Sequence, residues 1–227
     1  MRSVLALSLL VWLAPALASD VTFCVVTARR PVSYFLDLVS ALQHQGADLL
    51  VVDVDNSTGG LIEDVLTPPR VTQECIAGYV GCAVQQQALD VLNALETCAG
   101  PSWSNWVVLV EDDMLPCPGS VQAITDVLLD SNPLGMRWGR FAKFSRVIAF
   151  PIRSIAPYKA FVMEQLASIP YDQALVYGWG SGPTYQHGSS LFSHRGSVST
   201  IGERNDPAFI REYGDFRSES CGDPLSV

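Results

Sequence analysis

The run Trp106-Val107-Val108-Leu109-Val110 stops on three consecutive carboxylates, Glu111-Asp112-Asp113, and no other stretch constrains the fold so tightly. Five apolar residues rich in valine, followed at once by charge, predict a strand buried on both faces whose C-terminal end opens at a rim. In open α/β sheets that rim is where ligands bind. Three adjoining carboxylates repel one another unless a cation neutralises them. Oxygen donors suit a hard divalent ion, Mg²⁺ or Mn²⁺, that also holds phosphate oxygens. The cluster therefore marks a candidate metal–diphosphate site; the alternative is an acidic turn closing a strand.

The first eighteen residues read as a targeting segment: Arg2, an apolar run from Val4 to Leu13, and Ala16-Leu17-Ala18 as a small-x-small cleavage site before Ser19. The run is short of the about 20 apolar residues of a membrane span, which favours a removed secretory signal over an uncleaved anchor. No later stretch is long and apolar enough to span a bilayer, so no stable membrane span is expected after cleavage. Residues 19–227 fit one domain with a sizeable core. The expected location is the secretory pathway, the Golgi or ER lumen, or outside the cell.

With Asp+Glu 23 against Lys+Arg 14 the formal charge is -9, which argues against nucleic acid as a partner. Six cysteines in a secreted chain permit disulfides. Cys24 lies inside an apolar strand run and reads as a buried thiol. Cys75, Cys82, Cys98, Cys117 and Cys221 lie in loops or at helix ends, so at least one bridge is expected among them. No Cys-x-x-Cys pair or histidine cluster points to zinc. Asn56-Ser57-Thr58 is a glycosylation sequon in a turn-like stretch.

Strand and helix patterns alternate along the chain. Val21 to Thr27 reads as a strand; Pro31 then opens a helix with Phe35, Leu38, Val39 and Leu42 on one face; Leu49 to Val54 makes a second strand, parallel to the first through a right-handed crossover. Residues 67–81 read as loop. A helix is expected from Ala83 to Cys98, the carboxylate-tipped strand at 106–110, and a helix from Ser120 to Leu129. Phe141 to Phe150 form a later strand group, and a helix follows from Pro157 to Ala167. This order predicts an α/β fold with a mostly parallel sheet. The Gly- and Ser-rich final third reads as loops, the usual carriers of a site.

Two later residues carry open alternatives. His187 is either structural or the one nitrogen ligand beside carboxylates and phosphate oxygens, in which case its other ring nitrogen needs a fixed acceptor. His194 competes for that role, whereas His44 on the first helix is expected to face solvent. Asp172 either caps a short helix or stands near an acceptor hydroxyl as a general base.

Taken together, Thr27-Ala28-Arg29-Arg30 with Tyr34-Phe35-Leu36, Gln86-Gln87-Ala88-Leu89-Asp90, Leu109 to Asp113, Phe141 to Phe150, Pro170-Tyr171-Asp172 and Tyr185-Gln186-His187-Gly188 resemble, in this order, the blocks of the N-acetylglucosaminyltransferase IV group. The related GPI-anchor GalNAc transferase shares them. Both are glycosyltransferases of the GT-A fold, and the resemblance spans residues 22 to 200. It implies a GT-A-like, Rossmann-type, mostly parallel sheet flanked by helices. It further implies inverting transfer of a sugar, an N-acetylhexosamine, from a UDP-sugar to a glycan or glycolipid acceptor, with Mn²⁺ or Mg²⁺ bridging the diphosphate.

Carried over by motif, Asp113 is the direct metal ligand, with Glu111 beside it and His187 as the later metal or diphosphate ligand. Asp112 and Glu111 lie near the donor ribose, Asp90 on the helix before the motif binds the donor, Arg29 and Arg30 meet the nucleotide, and Asp172 is the base. The chain departs from the family at Gln86, where a lysine is expected, and lacks the relatives' lectin-like or membrane-hairpin additions. The competing function is a secreted GT-A domain of weak catalytic power that binds a sugar or glycan without turning it over.

Overall fold

A computed structural model describes residues 20–28, 34–56, 58, 65–78, 81–100, 104–130, 138–142, 146–169, 183–195 and 220–225. Its centre is a seven-stranded sheet with helices on both faces. In chain order the strands are β1 (Val21–Thr27), β2 (Asp48–Asp53), β3 (Val65–Leu66), β4 (Trp106–Glu111), β6 (Trp138–Arg140), β7 (Val147–Pro151) and β8 (Thr184–Gln186), in spatial order β3-β2-β1-β4-β7-β6-β8. A separate ribbon pairs β5 (Met114–Pro116) with β9 (Phe192–His194). Six of the seven sheet strands point one way and β7 runs against them, so the sheet is mostly parallel.

The strands are apolar on both faces because helices cover both. On one side α2 (Cys82–Ala99) and α4 (Ile152–Gln165) bury Leu92, Leu95, Tyr158 and Val162 against Cys24, Val107, Leu109 and Phe150. On the other, α1 (Phe35–His44) and α3 (Ser120–Asp130) bury Leu38, Leu42, Ile124 and Leu128 against Phe23, Val25, Val108 and Val110. Alternate residues of β4 thus feed opposite cores, which explains a strand with no polar residue before its tip. Helix α1 ends where Gly46 adopts φ +77. There Ala47 N donates to Leu42 O and Gly46 N to Gln43 O, a turn that satisfies the last carbonyls and requires a left-handed residue.

The alternation read from the sequence is present: β1, α2, β4 and α3 fall where the patterns place them, and β2 follows β1 in parallel register, Val25 opposite Val51. The targeting segment lies outside the described residues. Helix α1 begins at Phe35, with Tyr34 as its N-cap, not at Pro31. Two further boundaries differ. The apolar stretch 141–150 is not one strand group, because the chain turns between β6 and β7; their connection is too short for a crossover, so β7 returns antiparallel. Helix α4 begins at Ile152, not at Pro157, which sits in its second turn. Proline signals a helix start because it needs no N–H there; here the start is Pro151, at φ -64 and ψ 137, and burial of Ile155 and Tyr158 holds the turn around Pro157.

Three disulfides tie these layers: Cys75–Cys82, Cys117–Cys221 and Cys24–Cys98. The first two join cysteines expected to bridge. Cys24 is not a buried thiol. Its Cβ faces α2, where Cys98 occupies the inner face one residue from the helix end, and both residues are 0% exposed.

Candidate active site

The C-terminal end of β4 carries the three carboxylates to the sheet rim, beside the end of β1, where Val26 pairs with Glu111, and the start of β7, where Glu111 N donates to Arg146 O. Asp112 and Asp113 form the turn into β5 and are only 2% and 6% exposed. Buried carboxylates require donors or cations. Asp112 Oδ2 accepts from Thr27 Oγ1 at 2.9 Å and lies 3.4 Å from Ala28 N, so β1 holds this side chain in place. Asp113 Oδ2 lies 3.2 Å from His194 Nε2. Asp113 is gripped through its backbone as well, since its carbonyl accepts from Arg195 N at 2.8 Å.

His187 stands just past β8. That strand is parallel to β6, and therefore points the same way as β4, so His187 occupies the same rim as the carboxylates. Its N–H donates to Arg140 O, and its ring lies 6.3 Å from Phe141 and 6.5 Å from Tyr185. His187 Nδ1 is 2.7 Å from Ser189 O and 3.4 Å from Ser189 N. The two contacts demand opposite protonation. A carbonyl only accepts, and the shorter contact decides: Nδ1 carries the proton, so in the neutral ring Nε2 is the nitrogen with the lone pair. This is the acceptor that a ligating histidine needs behind it. His194 is arranged differently, with Nε2 on the carboxylate and a buried Nδ1 that has no hydrogen-bond partner among the described residues. Burial pushes the Tyr185 phenol above its ordinary pKa. His44 is exposed on α1, as its position on the helix predicts.

Asp90 is engaged by its own helix and by the 67–78 loop. Arg70 Nη2 and Nε reach its two oxygens at 2.9 Å and 3.3 Å, and Gln86 Nε2 donates to it at 2.9 Å. The hydrogen bond from Arg70 to Asp90 raises the guanidinium's pKa, against a smaller effect of burial. Where the resembling family places a lysine, Gln86 gives a neutral donor, and the cation comes from the 67–78 loop instead. Asp53, at the end of β2, is fully buried and holds its own turn, accepting from Thr58 N and Thr58 Oγ1 at 2.7 Å each. That turn leaves the sequon's Asn56 exposed at φ 56. Arg29, Arg30 and Asp172 lie outside the described residues.

A cavity of about 330 Å³ opens at the start of α2, lined by Glu74, Cys75, Cys82, Gln86 and Leu166 among others. None of its lining residues belongs to the rim, so volume alone does not mark the chemistry here. Among the described residues, no three His, Cys, Asp or Glu side chains already converge as a cage for an ion. The donors present still fit a hard divalent cation, because adjacent buried carboxylates supply oxygens and such ions commonly take their other ligands from substrate phosphates and water. The 3.2 Å between His194 Nε2 and Asp113 Oδ2 matches a hydrogen bond. It is also close to the about 3.0 Å between two ligands at right angles on an ion with bonds of about 2.1 Å.

Thr27 and His194 are the contacts that sequence reasoning left without a partner. Thr27 closes an ordinary strand, and its bond to Asp112 depends on β1 and β4 being neighbours. His194 was visible as a competing histidine, but only the β5–β9 ribbon, with Met114 opposite His194, brings it to Asp113.

No family model matches the chain, and no curated protein matches it. Solved structures similar to it include a glycosyltransferase involved in glycosylation of the major capsid of PBCV-1, with TM-score 0.47 and 13% identity, covering 78% of this chain and 94% of that one. Another is glucosyl-3-phosphoglycerate synthase from Mycobacterium tuberculosis with phosphoglyceric acid, TM-score 0.44 and 14% identity over 78% of this chain and 73% of that one. The same synthase with Mn²⁺ and UDP-glucose gives TM-score 0.42 and 12% identity over 78% and 72%. One of these neighbours is a glycosyltransferase and the other a glucosyl-3-phosphoglycerate synthase; at such similarity no residue role passes from them to this chain.

Proposed function

We propose that this chain is a metal-dependent, inverting glycosyltransferase that moves a sugar, an N-acetylhexosamine, from a UDP-sugar to a glycan or glycolipid acceptor within the secretory pathway. The observation that carries the reading is the pair of buried carboxylates, Asp112 and Asp113, at the C-terminal rim of an α/β sheet, each held by a side chain from another strand. Adjacent buried carboxylates at a sheet rim are the oxygen donors that a hard divalent ion takes together with substrate phosphates, which supports a site that binds a cation with its substrate.

In this reading Asp113 and Glu111 hold the metal, Mn²⁺ or Mg²⁺, and Asp112 faces the donor ribose. When bound, the ion offsets the charge that develops on the departing diphosphate. His187, with Nδ1 committed to Ser189, offers Nε2 to the ion or the diphosphate, while His194 orients Asp113. Arg29 and Arg30 meet the nucleotide. Asp172 removes the proton from the acceptor hydroxyl as it attacks the anomeric carbon. Asp90, paired with Arg70, contacts the donor from the helix before the motif.

The experiment is release of UDP from a panel of UDP-sugars by purified protein with Mn²⁺, with and without chelator, in the presence of candidate glycan acceptors. Chelator-sensitive release dependent on acceptor supports transfer. Tight binding of a sugar or glycan without release, for any donor, replaces this reading with the non-catalytic binding domain.

A further inference from the structure

The last described segment, residues 220–225, lies against the residues that carry His187. Ser190 N donates to Asp223 O at 2.7 Å, Gly222 N to Ser190 O at 3.0 Å and Gln186 Nε2 to Leu225 O at 2.6 Å, while Ser189 bridges Pro224. Leu225 and Ser190 are buried in the seam. The segment is fastened at its start by Cys221 to Cys117, which follows β5 and donates its own N–H to Leu191 O. One closed circuit results: from Asp113 along β5 to Cys117, across the disulfide to Cys221, along the strap to the 186–190 segment with His187, and back through β9 to His194 and Asp113.

We propose that this strap, through the Cys117–Cys221 disulfide, is the positioning element of the candidate site, fixing both histidines against the acidic rim; the role of the rim itself rests on the reading above. Short backbone segments with little core of their own keep a single conformation only when tied at both ends. The 186–191 segment makes its bonds to Arg140 and Phe141 on one side and to the strap on the other. Without the strap, the Ser189 carbonyl that sets the His187 tautomer loses its support. The disulfide therefore acts on the site through the histidines, not by contact with substrate.

With only three histidines in the chain, their imidazole resonances can be followed individually in the full-length protein. In Cys117→Ser/Cys221→Ser the His187 and His194 resonances should shift or broaden while exposed His44 stays put. Manganese-dependent affinity for UDP should fall roughly tenfold or more, the usual scale when support behind a ligand is lost. Leu225→Ala keeps the disulfide and should move His187 alone. Cys75→Ser/Cys82→Ser removes a different, exposed disulfide and should leave all three resonances unchanged. Unmoved His187 and His194 in the first variant, or equal movement in the control, overturns the assignment. If wild-type protein fails to bind UDP with Mn²⁺, the nucleotide-sugar reading falls, and the resonances still decide the positioning role.

Discussion

His194 Nε2 stands 3.2 Å from Asp113 Oδ2 because the β5–β9 ribbon sets Met114 directly opposite His194. A residue far along the chain is thus delivered to the third carboxylate of the motif by main-chain pairing, and the strength of that pairing governs how Asp113 is presented.

Divalent metal should raise affinity for UDP or a UDP-sugar, since an acidic rim otherwise repels a diphosphate. Calorimetry with Mn²⁺ and with chelator measures the gain, and Asp113→Ala should abolish it. His194→Ala should reduce it by about 10- to 100-fold, as loss of an orienting partner does. Equal affinity in all four conditions removes the metal from the reading.

Asp172→Asn should leave UDP-sugar binding nearly intact yet lower turnover by roughly 10²-fold or more, the scale of general-base loss. His187→Ala should instead weaken the metal–diphosphate complex. Full turnover in Asp172→Asn would assign the base to another residue.

Thr27→Val removes a hydrogen bond to a buried carboxylate while keeping the side-chain shape. Stability should drop by about 1.5–3 kcal/mol, the scale of one hydrogen bond to a charged group, in urea unfolding without metal. Added Mn²⁺ with UDP should recover part of it, and Thr27→Ser should restore it. An unfolding midpoint identical to wild type would show that Asp112 does not depend on Thr27.

Tyr185 supplies a pH test. Burial raises its phenol pKa in the folded chain, so its neutral form contributes stability that is full below the unfolded value of about 10 and is lost as pH rises through the folded value. Tyr185→Phe should therefore flatten the alkaline decline in stability above about pH 10. Denaturant unfolding of both proteins across that range checks the sign; parallel declines would show that Tyr185 does not matter there.

The fold was legible where periodicity carried it. Phe35, Leu38, Val39 and Leu42 announced the inner face of α1, and the valine run announced β4, because a two-sided core leaves a strand no polar residue until it reaches the rim. The antiparallel β7 was not legible: Val147 to Phe150 is as apolar as β4, and direction leaves no mark on a strand buried on both faces. Helix α4 was misplaced because its first turn carries no capping side chain and its proline stands inside it.

The site was half legible for a related reason. Glu111, Asp112 and Asp113 are contiguous in sequence, so their clustering needed no fold to reveal it. The partners that hold them, Thr27 and His194, are separated from them by 85 and 81 residues and meet them only through strand adjacency. Asp90 shows the same. A carboxylate placed near the donor by resemblance also pairs with Arg70, a loop residue whose approach no local pattern could announce.

The Cys24–Cys98 bond has a consequence for how the chain matures. Both residues are fully enclosed between β1 and α2, so no oxidant of protein size reaches the sulfurs once the helix lies on the sheet. The bond must be made while α2 is still away from β1 or during brief partings of the two. Afterwards the same enclosure shields it from reductants. Folding order and redox history are thereby coupled: a chain whose helix settles before oxidation holds two thiols sealed in its interior, and only reopening the domain can correct it.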